Sequence, residues 1–126
     1  MAKSRPDVAL VLLERYFLLP DDFDHAQAHV DRATAYMALG RRSEVISSLE
    51  AALAREGAFP KLLTDAYLAL PYYVAIQALR DHYPRALVVL DCYKHRIMFP
   101  VDQFRFHTAQ ALIAADTGDA IQAAND

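Results

Sequence analysis

Three apolar–proline pairs, Leu19-Pro20, Phe59-Pro60 and Phe99-Pro100, frame this sequence, with the prolines 40 residues apart (positions 20, 60 and 100). Proline lacks the amide hydrogen that a helix interior requires, so it marks where one helix gives way to the next. The stretches between the prolines are helical in pattern. A fixed period of this size is the signature of a stacked repeat protein, in which each helical unit buries its apolar face by leaning on a neighbour. The chain is therefore expected to be all-α. Only three Gly and no Trp agree better with helices than with a sheet, which needs more turn chemistry.

Capping residues divide the sequence into helices. Ser4-Arg5-Pro6-Asp7 combines a hydroxyl cap, a proline in the first turn and an acid three residues after the cap, which predicts a helix from about Pro6 to Leu19. Val8, Leu10, Val11, Leu12, Leu13, Phe17 and Leu18 make that helix apolar on more than one side, the pattern of a helix buried between neighbours. Asp24 with Gln27 forms a second capping box, and the helix it opens runs to Leu39, where Gly40 supplies a left-handed stop. Ser43 to Glu56 follows, ended by Gly57. A link this short makes the two helices antiparallel neighbours. Lys61 to about Leu79 is the next helix; Pro71 inside it predicts a kink or short break near Leu70. Pro84 opens a helix from about Tyr83 to Arg96. The last helix starts at Pro100, runs to Thr117 and turns at Gly118-Asp119, leaving a stub over 120–126.

Stepping by 40 aligns Ala9 with Leu49 and Val89, and Leu13 with Leu53 and Tyr93. The chain then divides into a leading helix (1–19), a repeat (20–59), a second repeat (60–99) and a partial third (100–126). It begins and ends in mid-repeat. Either it is a piece of a longer array, or its open end meets a partner or a second copy.

Within the first repeat the pattern becomes specific. Ala33-x-x-Tyr36-x-x-x-Gly40, followed by Val45-x-x-x-Leu49-x-x-Ala52-Leu53, resembles the tetratricopeptide repeat (TPR). Gly118-Asp119-x-x-x-Ala123, after Ala111, Ala114 and Ala115, is similar to the front half of another copy, and Tyr83-x-x-Ala86-x-x-x-Leu90 to part of a second helix. The period departs from the family's about 34 residues, and His29 stands where a Trp is typical. The resemblance implies a right-handed superhelical stack of antiparallel helix pairs, an α-solenoid of about six helices plus a C-terminal stub. A HEAT-like array or a generic three-pair helical bundle is the competing arrangement.

Little in the sequence supports catalysis. His25 and His29 stand four apart on one helix below Asp21, Asp22 and Asp24, yet no third ligand accompanies them, and the acids suit a helix start. No metal or other cofactor is expected. Cys92, the only cysteine, sits among Val89, Leu90 and Tyr93, where a buried inert thiol is expected. It excludes an intrachain disulfide framework and points to a reducing compartment. The apolar run Val8–Leu13 is broken by Glu14 and Arg15, too early for a signal peptide or a membrane span. A cytoplasmic location is expected. A net charge of −3 and clusters no larger than Arg41-Arg42 and Lys94-His95-Arg96 leave no footprint for nucleic acid or an acidic membrane.

The resemblance points to binding instead. TPR arrays bind through the concave surface of their leading helices, which here maps to Gln27, Val30, Thr34, Met37 and Ala38, and to Arg105, Thr108, Leu112, Ala115 and Asp116. Only Arg105 suits a carboxylate. This groove fits an amphipathic helix or peptide of a protein partner, the protein's own ends included. Tyr72 and Phe106 are the candidate aromatic anchors. The expected function is a non-catalytic interaction, scaffold or regulatory module; the alternative is a sensor domain binding a small apolar ligand among Tyr36, Met37, Tyr72 and Tyr73. For the turn assignment, Gly40→Val is expected to cost about 1–2 kcal/mol, because a β-branched residue strains the left-handed conformation. A thermal melt checks it, and an unchanged midpoint removes Gly40 as the helix stop.

Overall fold

Six helices account for most of the backbone in the computed structural model, which describes residues 5–20, 24–59, 63–97 and 99–125, with side chains up to Gly118. They are α1 (Pro6–Tyr16), α2 (His25–Ala38), α3 (Arg42–Ala58), α4 (Ala66–Ile76), α5 (Tyr83–Tyr93) and α6 (Pro100–Asn125). Single 3-10 turns at Arg80–His82 and Lys94–Arg96 flank α5. The described residues contain no strand, and none of their helices is long and apolar enough to cross a membrane. The chain divides into two compact units between Ala66 and Tyr67.

The first unit is built on the α2–α3 hairpin, with α1 docked on α2. Ala26, Ala33, Val45, Leu49 and Ala52 are wholly buried. Small residues let two helix backbones approach closely, and each buried Leu or Val contributes roughly 1.5–3 kcal/mol. Asp24 caps α2 as expected, its Oδ1 accepting the Gln27 amide at 3.0 Å. The Gln27 side chain does not complete the reciprocal box; its Nε2 donates forward to Asp31 Oδ1 at 3.0 Å.

Gly40 lies at φ 70°. The Arg41 amide reaches back to the Tyr36 carbonyl (3.0 Å), and the Gly40 amide to that of Met37 (3.1 Å). Two carbonyls that the helix leaves without donors are thereby satisfied. The Arg41 guanidinium lies 5.3 Å from the centre of the Tyr36 ring, closing the turn from outside. No neighbour lies within 4 Å of where a Cβ on Gly40 would sit, so any cost of substitution there is backbone strain.

Several expectations are corrected. Ser4, the expected cap of α1, lies outside the described residues; Arg5 holds the N-cap position without a side-chain cap bond. No residue of α1 is buried, so it is not a helix enclosed by neighbours. α1 also ends at Tyr16, short of Leu19. Gly57 does not stop α3, which continues to Ala58. There the Arg55 guanidinium covers the Phe59 ring at 4.4 Å. One turn earlier the buried Glu56 accepts the Thr64 amide at 2.7 Å, and Thr64 Oγ1 accepts the Ala66 amide at 3.1 Å. This relay sets the start of α4. The expected start at Lys61 lies outside the described residues, and 63–65 are not helical.

In the second unit, α4 runs unbroken through Pro71. The proline removes one backbone bond, the donor to Tyr67 O. It is itself fully buried, as are Leu68, Leu70 and Val74 around it, and that burial offsets the loss. α4 ends at Ile76 rather than Leu79 with the same closure as α2: Leu79 N–H to Val74 O at 3.0 Å and Ala78 N–H to Ala75 O at 3.2 Å. The left-handed position is held here by Ala78, at φ 52°. Tyr67 Oη donates to Arg96 O at 3.3 Å, and the Arg96 guanidinium lies over the Tyr67 and Tyr93 rings. These contacts set α5 antiparallel to α4. α6 continues through Gly118, so the turn expected at Gly118-Asp119 is absent and the stub is part of α6. Six alanines between 111 and 124 favour helix enough to carry one glycine, which costs about 1 kcal/mol in a helix interior.

The contrast between Gly40 and Ala78 yields a prediction. Ala78→Gly removes the left-handed strain while keeping both closing hydrogen bonds. It is expected to stabilise by about 0.5–1 kcal/mol and to raise the midpoint of thermal unfolding by about 3–5 °C. A lower midpoint sinks the assignment of Ala78 as the strained cap.

Candidate interaction surface

The two histidines of α2 form an aromatic clasp. At the end of α1, the Phe17 ring lies 4.5 Å from that of His29 and 5.7 Å from that of His25, and Tyr16 meets His25 edge-on at 5.7 Å. Arg32 completes the arrangement. Its guanidinium sits over Phe17 at 4.9 Å, its Nη2 contacts His29 Nδ1 at 2.8 Å, and its Nε donates to Ser48 Oγ of α3 at 3.1 Å. One arginine thus joins three helices. An arginine donates only, so His29 must present Nδ1 as an acceptor and stay neutral. Burial, followed by the charges of Arg32, His25 and Arg55, pushes the His29 pKa down to about 4. His25 is buried, and its Nε2 has no hydrogen-bond partner among the described residues. No group of three metal-ligating side chains gathers among those residues.

A second polar cluster fastens α6 within its own unit. Arg80, in the 3-10 turn before α5, grips Asp116 through two hydrogen bonds of 2.9 and 2.8 Å, and Tyr83 Oη donates to the same carboxylate at 2.6 Å. The Arg80 bonds, then the tyrosine bond, push the Asp116 pKa down to about 2. Burial and the adjacent carboxylate raise that of Tyr83. The stability this pair contributes is full above the carboxylate's ordinary 3.8 and is lost as pH falls through about 2.

These bonds occupy most of the polar residues assigned to the groove. Gln27, Val30, Thr34 and Met37 share one stripe of α2, with Gln27 bound to Asp31 and Thr34 Oγ1 to Val30 O at 3.2 Å. Arg105, Thr108, Leu112 and Asp116 follow one another along α6, but all except Leu112 are half-buried beside the buried Ala109 and Ile113. Arg105 lies 3.9 Å from Asp102, and Asp116 is held as above. Tyr72 and Phe106 are half-buried, the Phe106 ring meeting that of His107 at 5.3 Å. Cys92 is exposed, contrary to the buried thiol expected. A depression of about 200 Å³ between α1 and α2 (Leu13, Tyr16, Asp24, Gln27, Ala28, Asp31) is open to solvent.

What the surface offers instead is apolar. α6 uses Ala109 and Ile113, flanked by Asp102, Phe106 and Asp116, as its packed stripe. Val101, Phe104, Thr108, Ala111, Leu112 and Ala115 form another, roughly 130° around the helix at about 100° per residue. There Val101 is 64% exposed, Phe104 63% and Leu112 39%. α1 is two-faced as well: Ala9, Leu10, Leu13 and Tyr16 lie on the side of the clasp, while Val8, Val11 and Leu12 on the opposite side are 42%, 52% and 58% exposed. Sequence reasoning recognised that α1 was apolar all round but assigned both sides to burial. The signal in α6 is its double periodicity, which lies wholly within residues 100–117 and does not depend on Gly118.

The clasp predicts a pH dependence. The unfolded chain takes up the His29 proton near 6.5 and the folded chain only near 4. The contribution of the neutral ring is therefore full above pH 6.5 and lost as pH falls from there toward 4. The thermal midpoint is expected to drop across that window, and His29→Gln, which keeps an acceptor for Arg32 without titrating, to flatten the drop. An identical slope in the variant excludes His29 as its source. No protein-family model, curated protein or solved structure matches this chain, so the geometry of its own residues carries the functional reading.

Proposed function

We propose that this chain is a non-catalytic helical interaction module that receives an amphipathic helix of a protein partner on the outward stripe of α6. The observation that carries the reading is the exposure of Val101, Phe104 and Leu112 along one face of a helix already packed on another. Large apolar side chains in a row on a surface mark association sites. The spacing of three and four residues is the one at which a partner helix sets its own anchors.

The wider plan fits a TPR-like α-solenoid working in the cytoplasm. The motif residues Ala33, Val45, Leu49, Ala52 and Leu53 are buried in the first unit, as are Tyr83, Ala86 and Leu90 in the second. α2 and α4 close with the same hydrogen-bonded reversal. In a right-handed superhelical stack each helix pair buries the face of the one before it, and the last leaves a face for a partner. His29 with Arg32, and Asp116 with Arg80 and Tyr83, are engaged in holding helices together.

Amphipathic helical peptides with leucines at i, i+3, i+4 and i+7, titrated by calorimetry, test the proposal. Phe104→Glu is expected to weaken binding by about 2 kcal/mol or more, roughly thirtyfold, at unchanged thermal midpoint. Gln103→Glu, on the polar side of α6, is expected to have little effect. Loss of binding in Met37→Glu with Phe104→Glu neutral would transfer the site to the α2 stripe.

A further inference from the structure

The outward face of α1 carries more than apolar area. Val8, Val11, Leu12 and Arg15 fall within about 100° of one another, directly opposite the face that meets α2. Asp7 borders this stripe four residues before Val11, and Arg15 stands four residues after it. An acid and a base thus flank an apolar centre at equal distances, about 6 Å along the axis on either side at 1.5 Å per residue. Arg15 is exposed and makes no ion pair among the described residues. Asp7 is exposed too, and its ion pair with Arg5 is held at 3.4 Å, with both side chains about two-thirds exposed.

A face with opposite charges equidistant from its centre is complementary to itself when turned end for end. We infer that α1 pairs with α1 of a second copy of this chain, antiparallel, about a two-fold axis through Val11. The axis sets Asp7 of each copy against Arg15 of the other, twice over, as a two-fold interface requires. It also staggers the apolar residues: Leu12 of one copy enters between Val8 and Leu12 of the other, because the two levels differ by a few ångström along the helix. A parallel pairing would set Asp7 against Asp7 and Arg15 against Arg15. The apolar stripe of α6 has no such charge arrangement, so the complementarity is specific to α1. An eleven-residue helix covers far less than the ~1,600 Å² of a standard interface. The dimer accordingly has a dissociation constant between about 1 µM and 1 mM.

Sedimentation equilibrium of the full chain from about 10 µM to 1 mM tests this, with helicity checked by circular dichroism. The parent chain should pass from monomer to dimer. Val11→Lys, which puts two like charges at the axis, should raise the dissociation constant at least tenfold without loss of helix. Asp7→Arg and Arg15→Asp should each be monomeric alone, and an equimolar mixture should form a heterodimer, since the introduced charges are complementary only between the two variants. That recovery cannot arise from either variant failing to fold. A monomeric parent at 1 mM, a dimer indifferent to Val11→Lys, or a mixture that stays monomeric overturns the inference. All these variants leave α6 intact, so their outcome is separate from peptide binding there.

Discussion

Helices of eleven to seventeen residues, the lengths of α1 to α5, are marginal in water by themselves. Each depends on being folded back against a neighbour, and that depends on where the chain reverses. After α2 and α4 the reversal is the same event: one residue turns left-handed, and two amides reach back to carbonyls that the helix cannot satisfy. The hairpin follows at Gly40 because Gly reaches that conformation freely. At Ala78, itself exposed, the two amides bonded back to the buried Val74 and Ala75 hold the conformation against its strain. The side-chain clasps come after these reversals: Arg32 has Ser48 within reach only because α3 returns beside α2, and Arg80 finds Asp116 only because α6 returns beside α5.

Where a residue with a marked local preference decided the outcome, as at three helix boundaries, the sequence was readable. Asp24, Gly40 and Pro84 act locally, through their own φ or their own side chain, and the structure has α2 and α5 beginning, and α2 ending, where they said. The buried set Ala33, Val45, Leu49 and Ala52 was likewise visible as spacing. The failures share a cause of the opposite kind. Gly57 and Gly118 carry no side chain to signal a stop or a continuation, so their neighbours decided; the alanines after 110 extended α6 against its glycine. Pro71 was tolerated because fully buried leucines surround it. Cys92 and the outer side of α1 were assigned to a core by hydrophobicity, which tells what a residue tolerates and not whether anything covers it.

That last distinction also explains why the candidate site was legible only in part. Of the groove positions mapped from the resemblance, the polar Gln27, Thr34, Arg105 and Asp116 bond within their own helix or their own unit. A carboxylate held by an arginine fork and a tyrosine hydroxyl has little left to offer a ligand. Among the described residues, α1 and α6 each leave a row of large apolar side chains exposed. Interaction energy in such a molecule comes from burying area, with charges such as Asp7 and Arg15 deciding orientation.

The ties within the two units differ in how far they reach along the chain. In the first, Arg32 contacts residues 3 and 16 positions away; in the second, Tyr67 meets Arg96 across 29 and Arg80 meets Asp116 across 36. Short loops close at lower entropic cost and sooner. A chain made from its amino end therefore completes the contacts of α1, α2 and α3 while the carboxylate that secures α6 has yet to be synthesised. The second unit gains its final latch only when translation reaches Asp116, and until then the buried face of α5 has no α6 to meet.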